Sequence, residues 1–147
     1  MKKLLAIALA IFPLSSVADS GQSYLRITNE LSIAEKPHAQ MTVVLASGEA
    51  NVITVPSEST KPGIRLTIRP SLGDENIVKV EAGFAIDPVA NATKPPPKQR
   101  TAQVTMRAKL GSSASIYIGD GITYKWTASR ASDAEIAAAR EKSVTKK

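Results

Sequence analysis

Three times between Gly63 and Leu110 the chain alternates apolar with polar residues, and only strands with one dry and one wet face satisfy such a run. Ile64, Leu66 and Ile68 oppose Arg65, Thr67 and Arg69. Beyond the turn residues Ser71 to Glu75, Val78, Val80, Ala82, Phe84 and Ile86 oppose Lys79, Glu81, Gly83, Ala85 and Asp87. After Lys94 to Arg100, Ala102, Val104, Met106, Ala108 and Leu110 oppose Thr101, Gln103, Thr105, Arg107 and Lys109. Successive side chains of a strand point to opposite faces, so a period of two sustained this long excludes helix.

The flanking segments repeat the theme in shorter pieces. Tyr24 to Thr28 reads as a first strand. Ile33 to Gln40 contains Pro37, which cannot donate to a ladder and marks a loop or sheet edge. Met41 to Ala46 and Asn51 to Val55 surround Ser47-Gly48-Glu49, the arrangement of a hairpin. Pro56 to Pro62 is a loop. Ala114 to Ile118 and Ile122 to Ala128 surround Gly119-Asp120-Gly121, and the second of these strands sets Ile122, Tyr124 and Trp126 on one face. With so few aromatics in the chain, Trp126 reads as a core plug. In the tail, Ser132-Asp133-Ala134-Glu135 matches a capping box and opens an alanine-rich helix over Ala134 to Lys142. Lys142 to Lys147 reads as a disordered basic end. The expectation is an all-β, antiparallel β-sandwich of about seven to eight strands with a short C-terminal helix.

The start of the chain reads as an address. Lys2 and Lys3 precede the apolar Leu4 to Leu14, and Ser16-Val17-Ala18 forms a small-x-small cleavage site. The apolar run is shorter than the ~20 residues of a spanning helix. Residues 1–18 are thus expected to be a signal peptide, 19–130 a β-sandwich domain, and 131–147 the helix and basic tail, with a periplasmic destination and no transmembrane helix. The chain contains no cysteine, which removes disulfides, thiol catalysis and thiolate metal sites together. Its formal charge of +6, less the two lysines of the signal, leaves +4. That suits an anionic partner as well as it suits mere solubility.

Catalytic groups are scarce. His38 is the sole histidine, so no Ser-His-Asp triad forms without it. A copper site built on His38 and Met41 would have only Met106 to add, too few ligands, and His38 reads as a solvated loop residue. Asp74-Glu75 and Asp120 sit where turns ordinarily carry acids. Ser112 and Ser113 near Lys109 lack a surrounding nucleophile motif. The prolines Pro95 to Pro97 favour an extended polyproline II connector or a docking peptide. No enzyme activity, metal or cofactor is expected.

What remains is binding. Arg65 and Arg69, Lys79, and Arg107 with Lys109 fall on the wet faces of the central strands. Were those strands neighbours, they would form a cationic stripe offset in part by Glu81, fit for an acidic peptide or lipid headgroups. Single-stranded nucleic acid would also need stacking aromatics, which this face lacks. The partner expected is an envelope protein, held through this basic face or through a sheet edge such as Met41 to Val55. A self-assembling pilus or surface subunit is the alternative, and oligomeric state stays open.

Gly63 to Leu72, followed by Asp74 to Ile86, resembles a segment of the secretins, the outer-membrane channels of type II and III secretion and type IV pili. In that family a glycine, an alternating strand ending in proline, a polar turn and a second alternating strand follow one another, as they do here. Thr101 to Leu110, Gly111 and Ser115 to Gly121 are similar to its next strand and glycine-bearing turn. The likeness spans Met41 to Gly121. The chain departs from secretins in lacking their ring-building domains and the glycine pair they carry where Gly119-Asp120-Gly121 stands. The resemblance therefore implies a small secretin-related accessory or a detached piece of that β-fold, serving secretion, pilus biogenesis or envelope assembly.

Overall fold

Alternation becomes pairing in a computed structural model that describes residues 22–89 and 98–145. The signal segment and the proline triplet lie outside the described residues. Eight strands form: β1 (Tyr24–Ile33), β2 (Lys36–Ala46), β3 (Asn51–Val55), β4 (Gly63–Leu72), β5 (Ile77–Asp87), β6 (Arg100–Lys109), β7 (Ser113–Gly119) and β8 (Ile122–Arg130). They make two four-stranded antiparallel sheets. Sheet A runs β2-β1-β8-β7 and sheet B runs β3-β4-β5-β6, a plain meander. Among the described residues one α-helix, α1 (Asp133–Thr145), follows the strands.

The sheets face each other across one core. Leu25, Ile27 and Leu31 of β1 and Ile122, Tyr124, Trp126 and Ala128 of β8 come from sheet A; Ile64, Leu66, Ile68, Val78, Val80, Phe84 and Ile86 come from sheet B. Phe84 meets Tyr124 edge-on across the interface, with centroids 5.2 Å apart. Trp126 is fully buried, as a core plug should be. One polar residue shares this interior. Asn29, on the inward face of β1, accepts a 2.8 Å hydrogen bond at Oδ1 from the Tyr124 hydroxyl, while its Nδ2 donates to the carbonyls of Ile27 and Met41.

Met41 to Val55 is not a hairpin. β2 pairs with β1 and β3 with β4, so Ser47-Gly48-Glu49 carries the chain from one sheet to the other. The turn chemistry is the same in either case, but here its amides bond outward. The Ser47 N–H donates to the Ser23 carbonyl of the sheet A side and the Gly48 N–H to the Pro70 carbonyl of β4, both at 2.7 Å. Gly48 has φ +88°, which a side chain would resist. A second crossing, β6 to β7, passes through Gly111 and Ser112, where the Gly111 N–H donates to the Ala128 carbonyl.

The actual hairpin lies upstream, where β1 runs past Thr28 to Ile33 and turns at Ala34-Glu35, both with left-handed φ. Pro37 then sits on an edge strand, where its missing N–H costs no ladder bond. Leu31 pairs with Ala39 and Ser32 with Pro37, which leaves His38 as the extra residue of a bulge. His38 is accordingly not a solvated loop residue: its ring nitrogens are shielded and have no hydrogen-bond partner among the described residues.

The capping box forms as its residue types require. Glu135 accepts from the Ser132 N–H at 2.8 Å, and the Glu135 N–H donates to the Ser132 hydroxyl at 3.3 Å. Helix α1 continues to Thr145, past the Lys142 at which disorder was expected, because Ser143-Val144-Thr145 contains neither glycine nor proline to stop it. Arg26 pairs with Glu135 at 3.4 Å, and Arg140 lies over the Tyr24 ring at 5.3 Å, which together hold the helix beside sheet A.

Candidate functional site

Strand order decides whether the central cations meet, and they do. β4, β5 and β6 are neighbours, so Arg65, Arg69, Lys79, Arg107 and Lys109 all stand on the outer face of sheet B. Register arranges that face in rows: Arg65, Ala85 and Thr101; Thr67, Gly83 and Gln103; Arg69, Glu81 and Thr105; Ser71, Lys79 and Arg107. Lys109 stands opposite Ile77 at the end.

Positive charge on this face is poorly matched. Lys79 pairs with Glu81 at 3.0 Å. Arg65, Arg69, Arg107 and Lys109 make no ion pair among the described residues, although all four are exposed. Lys79 and Arg107 are direct cross-strand partners, and like charges so placed are destabilising. Asp87, at the far end of the face, accepts a hydrogen bond from Gln99 at 2.6 Å. Sheet A differs: its outer cations Arg26 and Lys125 each have a carboxylate, Glu135 and Glu30.

Between the basic residues the face is hollow. Gly83 and Ala85 form the floor of an open trough along β5, with Arg65, Thr67 and Arg69 as one wall and Thr101, Gln103 and Thr105 as the other. Its two adjoining parts have volumes of about 640 and 270 Å³. The wall residues Thr67, Gln103 and Thr105 and the floor at Gly83 were legible as wet-face positions, but only register makes them one site. The signal available beforehand was a glycine in the middle of an otherwise well-formed strand.

Other candidates scatter. Asp74 and Glu75 occupy a short 3-10 turn between β4 and β5. Asp120 lies in the β7–β8 turn and pairs with Arg100 at 3.0 Å, tying one end of sheet A to sheet B. The Ser113 hydroxyl shares a 2.7 Å hydrogen bond with Thr127 on the outer face of sheet A, away from Lys109. No cluster of three or more His, Cys, Asp or Glu that could hold a metal occurs among the described residues. Nor, among them, is any helix long and apolar enough to cross a membrane.

The edges are unequal. β2 carries Pro37 and the bulge and has α1 beside it, and β3 is only five residues long. β6 is a ten-residue edge whose pairing with β5 runs without a register shift. Chemically, the trough and its cations can hold anionic groups by charge and hydrogen bonding. Comparison of the chain with family models, curated proteins and solved structures finds no match.

Proposed function

We propose that this is a non-enzymatic, exported binding or assembly protein of the bacterial envelope, and that the outer face of sheet B engages an acidic partner. The observation that carries the reading is the set of four exposed cations without ionic partners among the described residues, Arg65 and Arg69 on β4 and Arg107 and Lys109 on β6, which flank β5 on either side. Opposing Lys79 to Arg107 costs the fold stability, and among the described residues Glu81 offsets it only at Lys79, whereas a carboxylate-bearing partner would relieve Arg107 as well. Binding of that kind is steered by charge and weakens with salt.

The test is retention of envelope proteins by the immobilised mature chain, wild type against a triple variant with Arg65, Arg69 and Arg107 changed to glutamate. Loss of specific, salt-sensitive partners is expected. An unchanged partner set refutes the basic face as the binding surface. Export rests on Lys2-Lys3, Leu4 to Leu14 and Ser16-Val17-Ala18, and release by osmotic shock of a chain beginning at Asp19 checks it. A place in secretion or pilus biogenesis rests on the resemblance to secretins, and deletion that leaves secretin assembly intact would remove it.

The uninterrupted β6 edge favours a second reading, a self-assembling structural subunit in which copies pair edge to edge. Light scattering separates the two. A monomer at all concentrations excludes the subunit, and ordered polymers exclude the accessory.

A further inference from the structure

Glycine inside a central strand weakens it, because it orders a freer backbone and packs no side chain. Such a glycine usually marks a bulge, a bend or the close approach of another molecule. Gly83 sits in the middle of β5 between β4 and β6, and neither ladder shifts register around it. Its backbone is not left-handed. A Cβ built there would meet only the Cβ of Thr67 at 4.0 Å, an ordinary van der Waals contact. Its cross-strand partners are Thr67 and Gln103, so no aromatic ring covers the gap either. Nothing among the described residues requires this residue to be glycine.

Ala85, the next outward residue of β5, is also small, and together they make the floor of the trough. We infer that the trough seats an extended, acidic peptide segment of the partner, its backbone passing over Gly83 and its carboxylates meeting Arg65 and Arg69 on one wall. Arg107 and Lys109 serve carboxylates further along. The inference rests on the reading of this face as the partner-binding surface and names what binds there.

Three features select a peptide. Thr67, Gln103 and Thr105 offer hydroxyl and amide groups that both donate and accept, which suits the alternating N–H and C=O of an extended backbone. The outer face of sheet B contains no aromatic ring on which a sugar or base would stack. Glu81 and Asp87 stand on the same face as the cations. A polyanion with unbroken charge would be repelled at both, whereas a segment with spaced carboxylates can set neutral residues there. An extended chain advances about 3.4 Å per residue, so roughly seven residues span β5 from Glu81 to Asp87.

Filling the floor tests this without touching a charge. Gly83→Val adds a β-branched side chain that suits a strand, at a position where the Cβ itself meets nothing nearer than the Thr67 Cβ at 4.0 Å. The probe is a labelled, end-capped peptide of about ten residues alternating Glu and Ser, long enough to overrun the trough, and its binding is read by fluorescence anisotropy. Expected are an unchanged or raised urea midpoint for the variant and a loss of peptide affinity of about tenfold or more, with Gly83→Ala intermediate. If Gly83→Val binds like wild type while Arg65→Glu or Arg69→Glu loses the peptide, the trough is not the seat although the face still binds acids. If the charge reversals also leave binding unchanged, the basic-face reading falls with it. Failure of the wild type to bind the peptide, or Gly83-dependent binding of a sulfated oligosaccharide in its place, overturns the peptide assignment.

Discussion

Removing one oxygen from the core should reveal how the buried polar pair is coupled. In Tyr124→Phe the ring keeps its place edge-on to Phe84 and opens almost no cavity, so the loss is that of the hydrogen bond. Asn29 Oδ1 is then stranded in a fully buried site. Its Nδ2 contacts, 3.4 Å to the Ile27 carbonyl and 3.3 Å to the Met41 carbonyl, are long and do not compensate the oxygen. An unsatisfied buried acceptor costs about 1–3 kcal/mol, and that is the expected destabilisation. At this chain length it lowers the melting temperature by roughly 3–5 °C per kcal/mol. Asn29→Leu alone strands the Tyr124 hydroxyl in the same way and should cost a similar amount. Replacing both partners by apolar groups leaves neither orphaned. The double variant should therefore lie well above the sum of the singles, with a coupling energy of about 1–2 kcal/mol. Urea unfolding followed by the fluorescence of Trp126, the only tryptophan, reports each midpoint. Strictly additive losses in the double variant would refute coupling between Asn29 and Tyr124.

Burial also pushes the Tyr124 phenol well above its ordinary range. Because the fold disfavours the phenolate, the stabilisation is complete below the unfolded value near pH 10 and declines as pH rises beyond it. The decline reaches ~1.4 kcal/mol per pH unit. Wild type should thus lose urea resistance more steeply than Tyr124→Phe between about pH 9 and pH 11, and equal slopes would contradict the assignment. Glu135 is held below the usual carboxylate range, chiefly by the Ser132 backbone N–H; desolvation opposes this, and the Ser132 hydroxyl and then Arg26 add to the lowering. Its contribution is present above the ordinary carboxylate value and fades as pH falls through the lowered one. Glu135→Gln should reduce amide protection in α1 at neutral pH, with the difference closing in acid; a difference independent of pH would exclude this cap as the cause. Arg107→Glu turns the like-charge pair with Lys79 into an opposite one. It should raise stability by a few tenths to about 1 kcal/mol in low salt and, on the proposed basic-face reading, weaken binding of an acidic peptide. A lower urea midpoint would mean that Arg107 is paired as it stands.

Faces were legible in the sequence, neighbours were not. The alternation at Ile64 to Arg69, Val78 to Asp87 and Thr101 to Lys109 reports which side chains are dry, because burial acts on each residue separately. Pairing depends on where turns aim their amides. Ser47-Gly48-Glu49 therefore reads as a hairpin and is a crossing, while Ala34-Glu35, poor in the usual left-handed residues, turns a true hairpin. Asn29 ends an apolar run on paper, and only Tyr124, ninety-five positions away, lets it continue inside. For the candidate site, the parity of Arg65, Arg69, Lys79, Arg107 and Lys109 was visible. The hollow between them needed the registers that set Thr67 and Gln103 beside Gly83.

The ladder between β1 and β8 joins Leu25 to Arg130 and Ile33 to Ile122, nearly the two ends of the domain. Sheet B is a continuous meander that can zip from local contacts, whereas sheet A waits for its last strand. Synthesised from its N-terminus, the chain carries the first hairpin for most of its length with the β1 edge that β8 will cover still bare. Any product truncated before Ile122 keeps that edge permanently, and a closed molecule exists only once the final strand has slotted in beside the first.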